Sequence, residues 1–233
     1  MSDERVQLAK MHVDDEMRAA VLEVLDSGQW IKGAHSKAFG AEWAEFCGAM
    51  AGTPCSNGSV ALIAALRLLD VGPGDEVIVP SHTFIASATC IDQVGATPVF
   101  VDVEEAYHTL DPDGLEAAIT ENTKAVIVVH LYGQPAALPA LVALAERYGL
   151  ALIEDCCQAH LATCAGVPVG TSGVAAAYSF YPTKNLGALG DGGAVCTNDA
   201  QLAARVRQLR NGGQTARDRH VEPASHSRLD ELQ

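Results

Sequence analysis

Lys184 stands in the run SFYPTKNLG, a tight segment bounded by Pro182 and Gly187 and flanked by Phe180, Tyr181 and Leu186. Those neighbours would strip water from the amine, and a desolvated lysine attacks carbonyl carbon. Asp155 closes an apolar run and could either cap the next helix or pair with a protonated ring nitrogen. Its neighbour Glu154 would point to the opposite face of a strand, so only one of the two should serve a site. Asn57-Gly58-Ser59 opens a helical pattern, where free N–H groups and the helix dipole attract an anion, although a plain N-cap accounts for the same residues. Ser81-His82-Thr83-Phe84, His130-Leu131-Tyr132-Gly133 and Ser179 add hydroxyls and aromatic rings. An amine, a carboxylate, a ring face and a phosphate-sized helix start answer the aldehyde, pyridinium, ring and phosphate of pyridoxal phosphate.

Other chemistries are poorly served. No G-x-x-x-x-G-K-[ST] occurs, and the glycines of 187–193 follow a loop rather than a strand, so both nucleotide fingerprints are missing. Cys156, Cys157, His160 and Cys164 have some of the spacing of a zinc site. No second ligand pair follows them, and small core residues are the simpler reading, so no metal is expected.

These residues need a scaffold, and the pattern around them supplies one. Apolar, β-branched runs at 77–80, 98–103, 125–131, 150–154, 175–180 and 194–197 alternate with helical periodicity at 59–69, 85–94, 115–119 and 138–148. Strands that are apolar throughout are buried on both faces. The rhythm therefore predicts an α/β chain, a three-layer α/β/α sandwich with a mostly parallel central sheet, in which ligands sit beyond the carboxyl ends of the strands. Two amphipathic stretches, 14–27 and 36–49, precede it as an N-terminal arm. Residues 1–50 are thus read as arm, 51–212 as the cofactor-binding domain and 213–233 as the start of an interface region.

Composition excludes several classes. Of 233 residues, 48% are hydrophobic and 19% charged, which disfavours disorder. Fifteen Lys and Arg against 29 Asp and Glu give a net charge of −14, which repels nucleic acid and anionic membranes. The deficit is uneven: six Arg oppose four acids from Ala204 onward, leaving the first 203 residues at nine cations to 25 acids. Seven cysteines in apolar runs and a charged N-terminus without an apolar signal core suit a reducing cytoplasm. The last residues, Leu232-Gln233, read as a helix cut short.

The runs SFYPTKNLGALGDGGAV (179–195), GDEVIVPSHTFIASA (74–88), PVFVDV (98–103), HLYGQPA (130–136), EDCCQAH (154–160) and SRLDELQ (227–233) together closely resemble the DegT/DnrJ/EryC1/StrS family. The likeness runs from about Val6 to Gln233. It implies a fold-type I, pyridoxal-phosphate-dependent sugar aminotransferase whose small C-terminal domain is absent here. By that resemblance Lys184 is the catalytic Schiff-base lysine and proton shuttle. Asp155 pairs with the pyridinium nitrogen, Gln158 lies near the ring hydroxyl and Phe84 stacks on the ring. Ser179 and the Gly58-Ser59-Val60 helix start hold the phosphate, and His226 reaches the phosphate of a neighbouring subunit in a homodimer. L-Glutamate would donate the amine to a keto group of a nucleotide-linked deoxysugar.

Departures from the family pattern are local. His226 stands where members carry Asn, Cys156-Cys157 where they carry Ala-Ala, and Leu161 where they carry Gly, so added bulk beside the cofactor is expected at Leu161. Two alternatives stay open: an aminotransferase acting on a cyclitol ketone, and an inactive cofactor-binding remnant. A dehydratase relative would carry His in place of Lys184.

Overall fold

The computed structural model describes residues 10–233; the segment 1–9, which holds the start of the predicted arm and of the family likeness, lies outside the described residues. Helices α1 (Asp15–Ser27) and α2 (Ala34–Cys47) come first, followed by β1 (Ala51–Cys55), α3 (Gly58–Leu68), β2 (Glu76–Pro80), α4 (Ala86–Gln93), β3 (Thr97–Val101) and α5 (Pro112–Ala118). Then come β4 (Thr123–Val129), α6 (Leu138–Tyr148), β5 (Ala151–Asp155), the short β6 (Thr163–Cys164) and β7 (Val167–Pro168), β8 (Ala175–Ser179) and β9 (Gly193–Thr197). Helix α7 (Ala200–Leu209) and the strands β10 (Gln214–Ala216) and β11 (Arg219–His220) complete the chain.

Seven strands form one sheet in the order β1-β9-β8-β5-β4-β2-β3. Only β9 runs against its neighbours, so the sheet is mostly parallel, with helices on both faces as expected. The continuous apolar runs now have their reason, because successive strand residues enter two different cores. Val77, Val79, Ile127 and Ile153 pack under α3, α4 and α7, whereas Ile78, Val126, Val128 and Leu152 pack with α2, α5 and α6. Each fully buried side chain of this size contributes about 1.5–3 kcal/mol. After β3, at one edge, the chain crosses back over β2 to β4, and a crevice opens where these connections diverge.

The arm is only partly an arm. Trp43, Ala44 and Cys47 of α2 are buried, and Trp43 meets Phe180 edge-on with centroids 4.9 Å apart, which ties α2 to the sheet. The basic stretch after Ala204 begins in α7, which buries Ala203, Val206 and Leu209. The chain end differs from expectation too: residues 231–232 form a turn rather than a helix start. That turn is anchored by Glu231, whose carboxylate accepts the N–H groups of Gly33 (2.7 Å) and His35 (2.9 Å) and the Ser36 hydroxyl. It caps α2, which lacks a side-chain cap of its own.

Candidate active site

Strand β1 ends at Cys55, and Asn57 turns the chain into α3 with its Oδ1 accepting the Val60 N–H at 2.9 Å. The first-turn N–H groups of Gly58 and Ser59 have no intrahelical partner and face a cavity of about 570 Å³. Gly58 belongs there for a steric reason. A β-carbon at that position would lie 2.8 Å from Cys157 Sγ and 2.8 Å from Ser179 Cβ, so only glycine lets β8 approach the helix start. Ser179 ends β8 and lines the same cavity; its Oγ accepts the Tyr181 N–H at 3.3 Å.

Asp155, at the carboxyl end of β5, is buried at the cavity floor. Its Oδ2 accepts the Ser87 hydroxyl at 2.8 Å and its Oδ1 accepts the Cys157 N–H at 3.1 Å, which together set the carboxylate's direction. Ser87 lies 2.9 Å from Thr83 Oγ1, one turn earlier, so the end of β2 and the start of α4 support the end of β5. Glu154 takes the other face. It is fully buried, accepting His130 Nε2–H at 3.0 Å and the N–H groups of Gly170, Ser172 and Gly173 at 2.7–2.8 Å. Because His130 Nδ1 accepts the Ala136 N–H, Nε2 carries the proton given to Glu154. Burial pushes Glu154 up, but the bonds from His130, Gly170 and Gly173 outweigh it and hold the carboxyl below its ordinary value.

Lys184 lies in the turn after β8, with its backbone N–H on Tyr181 O at 2.8 Å, and its side chain lines the cavity. Among the described residues its amine makes no hydrogen bond or ion pair, and it is the only lysine or arginine in the lining. His160 sits beneath this turn against Tyr178, Phe180 and Trp43, and burial there pulls it down to about 4. Cys157 also lines the cavity, but burial and then the nearby Asp155 push its thiol well up, so it is no rival nucleophile to the amine. Phe84 stands exposed at the rim, and Gln158 lines the wall with its Oε1 held by the Tyr132 N–H at 2.9 Å.

The cavity thus gathers Gly58, Ser59, Phe84, Asp155, Gln158, Ser179 and Lys184. One expected member is not there. The Val60 N–H is taken by the Asn57 cap and its side chain packs into the core, so the anion-facing groups end at Ser59. His226, expected at the phosphate of a neighbouring subunit, is exposed, bridges to Asn211 and pairs through Nδ1 with Arg228 at 2.7 Å, outside the lining of this chain's own cleft. Leu161 brings no bulk to the cavity. It is exposed with φ +62°, so the side chain costs backbone strain, which explains a glycine preference without any cofactor contact. The zinc-like set does not assemble either: the close ligand group among the described residues is His130, Glu154 and Cys156, whose carboxylate is already fully hydrogen-bonded. Ser87 and Asp191 were not anticipated as site residues. Ser87 had a faint signal in its four-residue spacing from Thr83, and Asp191, in the GDGG run, lines the cavity from β9's approach.

The donor set suits pyridoxal phosphate: neutral N–H groups and a hydroxyl for phosphate, a directed carboxylate for a ring N–H, an aromatic rim and an unpaired amine. Comparison with known proteins points the same way. The family model described as the DegT/DnrJ/EryC1/StrS aminotransferase family matches residues 11–233. A protein of Acidithiobacillus ferrooxidans named UDP-N-acetyl-3-dehydro-alpha-D-glucosamine 3-aminotransferase is 48% identical over the whole chain, which spans 63% of that relative. The crystal structure of Streptomyces venezuelae DesV in complex with a ketimine intermediate superposes with a TM-score of 0.91 at 50% identity, covering 94% of this chain and 59% of that one. A putative sugar aminotransferase of Streptococcus pneumoniae in its PLP form gives 0.92 at 27% identity, over 98% of this chain and 64% of that one. The chain therefore spans about 60% of the length of these proteins.

Proposed function

The chain belongs to the DegT/DnrJ/EryC1/StrS aminotransferase family, and from that premise we propose that it binds pyridoxal phosphate in the cleft and moves an amino group from L-glutamate to a keto group of a nucleotide-linked deoxysugar. The observation that carries the reading is the convergence of Lys184, Asp155, Ser179 and the α3 start on one cavity. When bound, the cofactor supplies an aldehyde that condenses with amines and a ring that withdraws electrons from the carbon being deprotonated.

The chain's own residues supply the rest. The Gly58 and Ser59 N–H groups and the Ser179 hydroxyl hold the phosphate by neutral donors on a helix dipole. Asp155, aimed by Ser87 and the Cys157 N–H, would accept the ring N–H and so favour the cationic ring. Phe84, at the rim, would offer a ring to stack on the cofactor, and Gln158 would hydrogen-bond the ring hydroxyl. Lys184 would hold the cofactor through its amine and, when that amine is free, would carry a proton to and from the substrate carbon. The lining holds no arginine, so the donor's carboxylates need groups from outside it. His226, exposed at the surface, is available to a second copy of the chain, and we read the working form as a homodimer.

Borohydride treatment after incubation with pyridoxal phosphate should leave a pyridoxyl group on the Lys184 peptide, and glutamate should yield 2-oxoglutarate in a half-reaction. An unlabelled Lys184 peptide overturns the mechanism. Label without 2-oxoglutarate supports the second reading, an inactive cofactor-binding remnant.

A further inference from the structure

A second cavity, of about 870 Å³, runs along the edge of β1 and shares no lining residue with the cleft. Five cations converge on it from three elements: Lys32 and Lys37 around the start of α2, Arg207 and Arg210 at the end of α7, and Arg228 in the C-terminal segment. One carboxylate, Glu45, lines it. Among the described residues none of the five pairs with an acid; the ion pairs of the molecule lie elsewhere. Arg210 donates to Pro54 O, and Arg228 bonds Asn211 Oδ1 at 2.8 Å and His226 Nδ1 at 2.7 Å, all neutral partners. Glu231, beside Gly33 and Ser36, is already taken up by the α2 N-terminus.

In a chain of net charge −14 this concentration of unpaired cations is costly, and local helix energetics accounts for only part of it. The carbonyl end of α7 favours Arg207 and Arg210. Lys37 has no such excuse, because it lies in the first turn of α2, at the positive end of the dipole, in a turn without an acid. Burial pulls Arg210 down from the ordinary arginine value, and Arg207 and Arg228 close by add to the shift.

We propose that this groove binds a compact polyanion, a diphosphate or triphosphate group, at a site separate from the cofactor cleft. The cations ring a concavity from several sides and the guanidinium of Arg210 is half-buried within it, so a small multivalent anion meets all of them at once. A cavity of this size also falls in the range that encloses small ligands. The group could be free or carried on a nucleoside.

The test is calorimetric titration of the 233-residue chain, its cleft filled by borohydride-fixed pyridoxyl, with inorganic pyrophosphate and separately with uridine diphosphate. Running the same titrations on the unfilled chain keeps this proposal independent of the cofactor reading. One-to-one binding of pyrophosphate is expected in both forms, weakened at least about tenfold by Arg207→Glu and by Lys37→Glu, and weakened again by raised salt. Both positions are exposed, and a circular dichroism melt checks that each variant folds. Tighter binding of uridine diphosphate assigns the group to a nucleoside carrier, and equal binding assigns it to the free anion. Absence of binding, affinity unchanged in both variants, or loss of pyrophosphate binding on filling the cleft overturns the proposal. So does self-association that the variants abolish in a chain that binds no pyrophosphate, since the groove is then a protein interface.

Discussion

Glu154 and Asp155 are adjacent residues of one strand with the same functional group, and the pleat of β5 gives them opposite work. Glu154 points away from the cleft, is fully buried, and spends both oxygens on four donors from the end of β4 and the 170–173 loop. Asp155 points into the cleft, is held by only two donors, and keeps capacity for a ligand. A buried carboxylate with its hydrogen bonds complete is structural, whereas one left incomplete at a cavity floor is poised to bind. The rest of the molecule divides similarly, with Glu231 closing the α2 N-terminus on one side and Lys184, unpaired, on the other.

The contrast can be broken by swapping the damage. Glu154→Ala should destabilise the chain by about 3–5 kcal/mol, because His130 and three amides lose their buried acceptor; urea unfolding measures it. Asp155→Ala should cost far less stability while abolishing the glutamate half-reaction. Equal stability losses from the two would collapse the distinction. Gly58→Ala comes next. Its β-carbon must displace Cys157 or Ser179, at a cost of about 1–3 kcal/mol, so cofactor affinity should fall roughly ten- to a hundredfold in a fluorescence titration.

An acid titration sharpens the structural half. Burial raises Glu154 and Glu231, but hydrogen bonds outweigh it: His130 and the loop amides at Glu154, and Ser36, Gly33 and His35 at Glu231. Both folded values are depressed, so their stabilisation is complete above the unfolded carboxylate value of about 4.3 and is lost as pH falls through the folded values. The urea midpoint should therefore drop steeply below about pH 4.3, and less steeply in Glu231→Gln. The smallest effect is expected at Ser87→Ala, which removes one of two bonds aiming Asp155. About 1 kcal/mol, seen as a several-fold slower half-reaction with nearly unchanged cofactor affinity, is the expected outcome.

Legibility in the chain followed the range of the interaction. The runs at 77–80, 125–131 and 150–154 announce the buried parallel strands β2, β4 and β5, and the rule that ligands gather past their carboxyl ends leads to Asp155, Ser179 and the Asn57–Ser59 turn. Helix α7 has no counterpart among the predicted helical stretches although its signal is present: Asp199 caps it, and Ala203, Val206 and Leu209 recur at helical spacing amid arginines. Ser87 escaped because its partner Asp155 is 68 positions away, and Glu231 because the amides it caps lie almost two hundred residues earlier. Leu161 differs from expectation because its feature is a backbone angle, which no side-chain volume reveals.

From order and period alone the chain determines its class, its strand ends and the short list of groups that meet there, since hydrophobic periodicity and helix-start chemistry are local. Tertiary structure decides which face each group takes and which groups remain unsatisfied. It sends Glu154 inward and Asp155 to the cavity, withdraws Val60 from the cleft, and brings five cations from distant segments to one groove. Those outcomes depend on the packing of segments remote in sequence, where burial and the pairing of polar groups, rather than residue type, set what each side chain can do.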